Sequence, residues 1–192
     1  MKYLEGPRLK LRAAEPEDLE LLYRWENDTD VWQVSDTLVP FSRYHLRRFL
    51  ENDNHDIFAT HGLRLMIDLL PDGLEEARTV GTLDLYDFDA LNSRAGVGIL
   101  IADASDRRRG YAAESLQLLV AYCREVLLLH QIYAYVTEDN ADSLALFARA
   151  GFSQTGWRLL WMHTPDGWKD QVQFQYMLSP AGSDAAMVER SE

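Results

Sequence analysis

Three consecutive arginines and a glycine, Arg107-Arg108-Arg109-Gly110, stand immediately before the longest amphipathic stretch of the chain. From Tyr111 onward Leu116, Leu119, Val120, Cys123, Val126 and Leu127 recur at the spacing that gathers side chains on one helical face, predicting a long helix that ends near Leu129. Upstream, Gly96-Val97-Gly98-Ile99-Leu100-Ile101 has the composition of a strand, and its two glycines predict a bulge or a close approach by another backbone or a ligand. Downstream, Gln131 to Val136 is a second strand; Leu144, Phe147 and Ala148 then mark a helix that Gly151 can cap in the left-handed region. Strand, turn, long helix and strand make a βαβ unit, which places two parallel strands in one sheet with a helix across its face.

The rest of the chain extends that unit. Arg8-Leu9-Lys10-Leu11-Arg12 alternates charged and apolar residues and predicts an opening strand. Pro16, followed by Glu17 and Asp18, opens a helix with Leu19, Leu22 and Trp25 as its stripe, running to about Asn27. A short helix begins at Ser42, a suitable N-cap, and buries Leu46, Phe49 and Leu50, with Asp28 to Pro40 as the intervening loop. Leu63 to Leu70 and Thr79 to Tyr86 form strands around Pro71-Asp72-Gly73, and Trp157 to Met162 with Gln171 to Met177 form a hairpin around Pro165-Asp166-Gly167. The expected fold class is α/β, a mixed and mostly antiparallel sheet with helices on both faces. Residues 1–178 form one domain, and the small, polar stretch 179–192 reads as a disordered tail.

Composition narrows the function. Nineteen Lys and Arg against 31 Asp and Glu give a formal net charge of −12, which repels nucleic-acid phosphates and anionic lipid, so neither partner is expected. The single cysteine, Cys123, permits no internal disulfide, and the absence of a basic-apolar leader before Pro7 points to the cytoplasm. The longest apolar run, Val126 to Leu129, is far too short to cross a bilayer. His45, His55, His61, His130 and His163 show no metal-ligand spacing, so no metal is expected.

Asp106-Arg107-Arg108-Arg109-Gly110-Tyr111-Ala112-Ala113 is the segment most suited to chemistry. Amides at a helix start are unpaired and lie at the positive end of the dipole, small residues let a diphosphate approach, and arginines add bidentate hydrogen bonds. The bland reading is a solvated loop capped by Asp106. Its context includes Asn140-Ala141-Asp142-Ser143 after the following strand, and Gly151-Phe152 closing the next helix. This order resembles the GCN5-related N-acetyltransferase superfamily, whose pyrophosphate loop Q/R-x-x-G-x-G/A is matched by Arg107, Gly110 and Ala112. Arg8 to Arg12 with Asp18, Trp25-Glu26-Asn27-Asp28, Gly156 and Asp166 to Asp170 are similar to the branch holding ribosomal-protein and spermidine N-acetyltransferases.

The resemblance implies acetyl-CoA as co-substrate in a cleft between splayed parallel strands, Val97 to Ile101 and Gln131 to Val136, with Gly98 producing the splay. Ile99 and Ile101 would offer backbone groups to the pantetheine arm, Arg107, Arg108, Arg109, Gly110, Tyr111 and Ala112 would hold the pyrophosphate, and Asn140 would contact the pantetheine. Two positions depart from the branch. Phe147 stands against the cofactor where a tyrosine protonates the leaving thiolate, and Gly96 stands where a glutamate is often found. Asp84 is therefore the expected base or amine anchor, with Asp87 beside it, and direct attack with deprotonation relayed by water is the expected route. Cys123, on the apolar helix face, reads as a packed thiol rather than an acyl carrier.

The expected acceptor is a primary amine, a polyamine-like cation or a protein N terminus. Trp25, Trp32 and Tyr44 flank the loop between the first two helices, which the resemblance implies borders the acceptor site, although aromatics beside short helices are more often core; Glu26, Asp28, Asp30 and Asp36 are candidates for an acidic rim, although loop acids are commonly just solvated. The departures at Phe147 and Gly96 leave a second reading open, a CoA-binding sensor or scaffold without catalysis. A strand edge at Gln171 to Met177 is expected to offer a surface for a homodimer.

Overall fold

The computed structural model describes residues 3–32, 39–51, 56–72, 77–164 and 166–178. Asp36, His55, Gly73, Pro165 and the expected tail 179–192 lie outside the described residues. Seven strands form one sheet: β1 (Leu9–Ala13), β2 (Leu63–Leu69), β3 (Arg78–Asp89), β4 (Arg94–Ile101), β5 (Gln131–Thr137), β6 (Ser153–Thr164) and β7 (Gly167–Met177). Their spatial order is β1-β2-β3-β4-β5-β7-β6, and only the β4–β5 pair is parallel. The mixed sheet is the expected fold class.

Helices cover the sheet from both sides. On one face α5 (Tyr111–Glu125) and α6 (Ala141–Arg149) pack Leu116, Leu119, Cys123 and Phe147 into a cluster with Val97, Ile132 and Ala134. On the other, α1 (Leu19–Glu26) and α3 (Arg43–Glu51) enclose Leu22, Trp25, Leu46 and Leu50 over Met66, and the one-turn α4 (Ile57–Thr60) leads into β2. Alternation along a strand sorts the residues between these faces. Val97, Ile99 and Ile101 belong to the α5 face; Gly96, Gly98 and Leu100 belong to the α1 face. Among the described residues no helix is long and apolar enough to cross a membrane.

Several local expectations are corrected. The strand edge expected at Gln171 to Met177 is not open, because β7 pairs with β5 on one side and with β6 on the other. The segment between α1 and α3 contains a one-turn helix, α2 (Thr29–Trp32), which Asp28 starts by accepting the Asp30 amide at 2.9 Å. Ser42 does start α3, its hydroxyl accepting the His45 amide at 3.1 Å, but Phe49 is 44% exposed beside Arg64 rather than buried. Helix α5 stops at Glu125, because the chain turns through Leu128 in the left-handed region (φ 52°), and Val126 is left in solvent. Gly151 (φ 90°) ends α6 as expected, with Phe152 N–H donating to Phe147 C=O at 3.1 Å.

Candidate active site

The β4–β5 ladder supplies the central geometry. It contains only three rungs, Arg94 with Gln131, Ala95 with Ile132 and Gly96 with Tyr133, after which the strands diverge. Each keeps its outer partner: β4 stays paired with β3 as far as Ile101, and β5 stays paired with β7 as far as Thr137. Ala102 N–H donates to Val80 C=O at 3.0 Å, turning that residue toward β3. By alternation Ile99 and Ile101 turn their main-chain groups into the gap. Neither glycine of β4 makes a bulge, because the β3–β4 register runs unbroken from Gly81 with Ile101 to Tyr86 with Gly96. Gly98 is therefore an ordinary rung opposite Asp84, and the fork lies at Gly96, under the edge-to-face Tyr86–Tyr133 pair.

Gly96 is required there, since a Cβ would stand 2.2 Å from the Tyr86 ring. The aromatic pair thus occupies the space a glutamate would need. Burial pushes the Tyr133 phenol up to about 12 and keeps it protonated near neutrality.

A cleft of about 960 Å³ opens at the divergence. It is lined by Asp30 and Val31 of α2 on one side, by Ile99 and Ile101 within the gap, and by Leu146 and Arg149 of α6 beyond it. At its end lies the arginine-rich loop. Arg108 (φ 60°) and Gly110 (φ 85°) are both left-handed, so the chain curls before α5 begins. Glu114 N–H is the first to find an intrahelical carbonyl, that of Gly110 at 3.1 Å. The amides from Arg108 to Ala113 meet no protein acceptor among the described residues. Such a curl ahead of a helix N terminus is an anion-binding concavity.

The loop is held from behind. Arg8 donates through Nε to Glu114 Oε2 at 2.7 Å and through Nη1 to the Arg109 carbonyl at 3.0 Å. Arg78 pairs with Asp106 through two hydrogen bonds of 2.6 and 2.5 Å, which hold the buried Asp106 carboxyl below the usual carboxylate range. Arg107 reaches back across the end of β4, donating to the carbonyls of Ile101 and Ala102 at 3.1 Å each.

The expected cofactor residues divide. Ile99, Ile101, Arg107, Arg108, Gly110, Tyr111, Ala112 and Asn140 line this one cleft. Asn140 also caps α6, its Oδ1 accepting the Ser143 amide at 3.1 Å. Arg109 is exposed and does not line the cleft; its carbonyl serves the Arg8 brace. Phe147 is corrected outright. It is 4% exposed in the core, stacked on Phe174 and edge-on to Phe152, away from the cleft wall. Sequence reasoning missed the α6 face toward the cleft, Asp142, Ala145, Leu146 and Arg149. Its i, i+3, i+4, i+7 spacing was visible, but its mixed polarity hid it beside the apolar stripe.

Asp84 is also corrected as the free base. Arg64 Nε and Nη2 donate to its two oxygens at 2.7 and 3.1 Å, while Arg64 Nη1 donates to Glu26. The two carboxylates raise the Arg64 pKa despite its burial, and both Asp84 oxygens are engaged by that guanidinium rather than open to an incoming amine. Of the expected acidic rim, Glu26 belongs to this triad, Asp28 starts α2, and Asp30 lines the cleft. Asp87 is exposed at a kink in β3 (φ 49°). Trp25 is core and Tyr44 is solvent-facing, whereas Trp32 donates to the Glu26 carbonyl at 2.6 Å. Cys123 is fully buried, which pushes its thiol up to about 12 and removes it as a nucleophile.

An acetyltransferase (GNAT) domain model matches residues 8–153. The chain belongs to this family, and is an acetyl-CoA-dependent N-acetyltransferase. An uncharacterized N-acetyltransferase, p20, of Bacillus licheniformis is 26% identical over 156 residues, 81% of this chain and 85% of the relative. An N-acetyltransferase 9-like protein of Caenorhabditis elegans is 21% identical over 154 residues, 74% of each chain. Among solved structures, spermidine N-acetyltransferase from Vibrio cholerae, in complex with CoA and spermine, superposes with a TM-score of 0.77 at 20% identity. That match covers 90% of this chain and 97% of the other. A ribosomal-protein α-N-acetyltransferase in complex with coenzyme A superposes with a TM-score of 0.75 at 18% identity, covering 90% and 96%. At these identities the two structures attest the fold.

Proposed function

We propose that this cleft transfers the acetyl group of acetyl-CoA to a primary amine by direct attack, the acceptor being a small amine or a protein N terminus. The single observation that carries the reading is the fork after Gly96, which opens unpaired β4 backbone directly above a curled loop of free amides. Amides from Arg108 to Ala113, with the Arg107 and Arg108 side chains, bind the pyrophosphate. Ile99 and the Ile101 amide take the pantetheine as an added strand, the Ile101 carbonyl being held by Arg107, and Asn140 keeps Nδ2 for it while Oδ1 caps α6.

The amine nitrogen bonds to the acetyl carbon, the carbon–sulfur bond breaks, the amine proton leaves through water, and the thiolate takes up a proton. Positioning supplies the main rate effect. Tyr133, on the last rung before the fork, is the candidate proton donor to the thiolate, since Phe147 has no proton to give and lies in the core. A non-catalytic CoA sensor is the second reading, and it rests on residue identity alone, Phe147 and Gly96 where the branch has a tyrosine and a glutamate.

Calorimetry on cofactor-stripped protein, followed by free-thiol release over an amine panel, tests both readings. Wild type binds acetyl-CoA, and Gly110→Asp abolishes binding by adding a charge and a left-handed side chain at the phosphates. Wild type that ignores acetyl-CoA overturns the proposal. Tight binding without turnover on any amine favours the sensor.

A further inference from the structure

The α1 face continues past the fork onto β5, β7 and β6. There Tyr133, Tyr135 and Thr137 lie in register with Gln175, Gln173 and Gln171, and Gln171 faces Arg158 of β6. The register slips between Arg158 and Met162, and Leu160, in the left-handed region at φ 48°, gives its amide to Asp170 Oδ1 at 2.7 Å. Such a bulge re-aims side chains. Here the Arg158 guanidinium lies 3.5 Å from the Tyr135 ring centroid and 4.8 Å from that of Trp161. Its one hydrogen bond is long, 3.4 Å to Gln171 Oε1, and no carboxylate pairs with it among the described residues.

The nearby acids have other partners. Asp170 holds the Leu160 amide, Glu138 holds the Asp170 amide at 3.0 Å, and Asp139 holds Lys169. Across the gap the charge is reversed, because Arg64 is shared by two carboxylates, Glu26 and Asp84, leaving that cluster at −1. The face thus presents net negative charge on the α1 side of the fork and a fixed, stacked, unpaired cation on the β6 side. A planar guanidinium held against aromatic rings is preorganised for a carboxylate.

We propose that Arg158 binds a carboxylate of the acceptor, so that the amine substrate is one that also carries a carboxylate, as an amino acid or an acidic peptide N terminus does, and not a pure polycation. This rests on the proposed transfer to an amine and names the acceptor class. Thiol release is measured for free acidic amino acids, peptides with acidic N-terminal residues, the amidated counterpart of each, and spermidine.

The carboxylate-bearing amines are expected to exceed their amides and spermidine at least tenfold in kcat/KM. Arg158→Gln is expected to raise their KM about thirtyfold and erase that preference, with the KM for acetyl-CoA unchanged; Arg158→Lys recovers part of the loss. The two carboxylate arms tell an amino-acid substrate from a peptide. Spermidine as the best substrate, or Arg158→Gln leaving every amine within twofold, overturns the proposal. If no amine turns over, the transfer reading fails, and tryptophan fluorescence still tests the site. Quenching by carboxylate-bearing amines that is lost in both Arg158→Gln and Trp161→Phe supports it, and no quenching in wild type overturns it.

Discussion

The cleft and the α1 face beyond the fork are built from different material. The proposed phosphate end of the cleft is main chain: amides of a left-handed curl, and the strand edge at Ile99 and Ile101. The proposed acceptor end, on the face outside the residues that line the cleft, is made of side chains fixed by ion pairing and stacking, Glu26–Arg64–Asp84 on one flank and Tyr135–Arg158–Trp161 on the other. Backbone recognition is insensitive to most substitutions that keep the local conformation, whereas a side-chain network fails when one member is lost. The first end should therefore resist truncations that cripple the second.

Arg64→Met gives the largest effect expected. It leaves Glu26 and Asp84 facing each other without a cation, in a half-buried site where losing one partner of a paired cluster costs about 2–3 kcal/mol. Thermal denaturation should show a fall in Tm, about 2–4 °C per kcal/mol for a chain of this size. Adding Glu26→Gln and Asp84→Asn should restore most of it. A Tm within 1 °C of wild type, roughly the measurement error, would show that the triad is a solvated surface pair.

A smaller effect is expected at the fork. Gly96→Ala drives a methyl into the Tyr86 ring and should cost about 1–3 kcal/mol in chemical denaturation. Gly98→Ala meets nothing nearer than Asp84 Cβ at 3.9 Å and should change stability by less than about 0.5 kcal/mol. Equal costs would mean that the Tyr86–Tyr133 pair does not define the fork.

The smallest change is expected from Arg8→Ala, which removes the brace behind the loop but none of its amides. Steady-state kinetics should show the KM for acetyl-CoA rising about threefold to fivefold, with kcat held. A hundredfold loss would mean that the loop has no intrinsic shape and that the main-chain end is as fragile as the other.

The same contrast explains what was legible from the residue order. The curl before α5 is a local event, dictated by Gly110 and by the apolar period that follows it, and Asn140 and Gly151 mark α6 by caps that act within a few residues. These positions could be assigned without knowing what packs on them. The acceptor end could not. Arg64 reaches Asp84 because β2 and β3 pair in a particular register, and Arg158 reaches Tyr135 across an intervening strand through a three-residue bulge.

Asp84 consequently read as a free base or amine anchor, because its partner Arg64 is 20 residues away in the chain. Phe147, which stands where the branch has a tyrosine, serves the core, because Phe152 and Phe174 close over it. Solvation also misled at Val126 and Phe49, where apolar residues in phase with a helix are exposed because the helix ends or its neighbour is a guanidinium.

Amide hydrogen exchange with and without coenzyme A tests the central claim most directly, because it reads the main chain itself. Protection is expected at Arg108 to Ala113 and at Ile99 and Ile101, with the Ala95 and Ile132 rungs unchanged. Coenzyme A binding that leaves those amides exchanging at their free rate, with protection elsewhere, would contradict a cleft built on unpaired backbone.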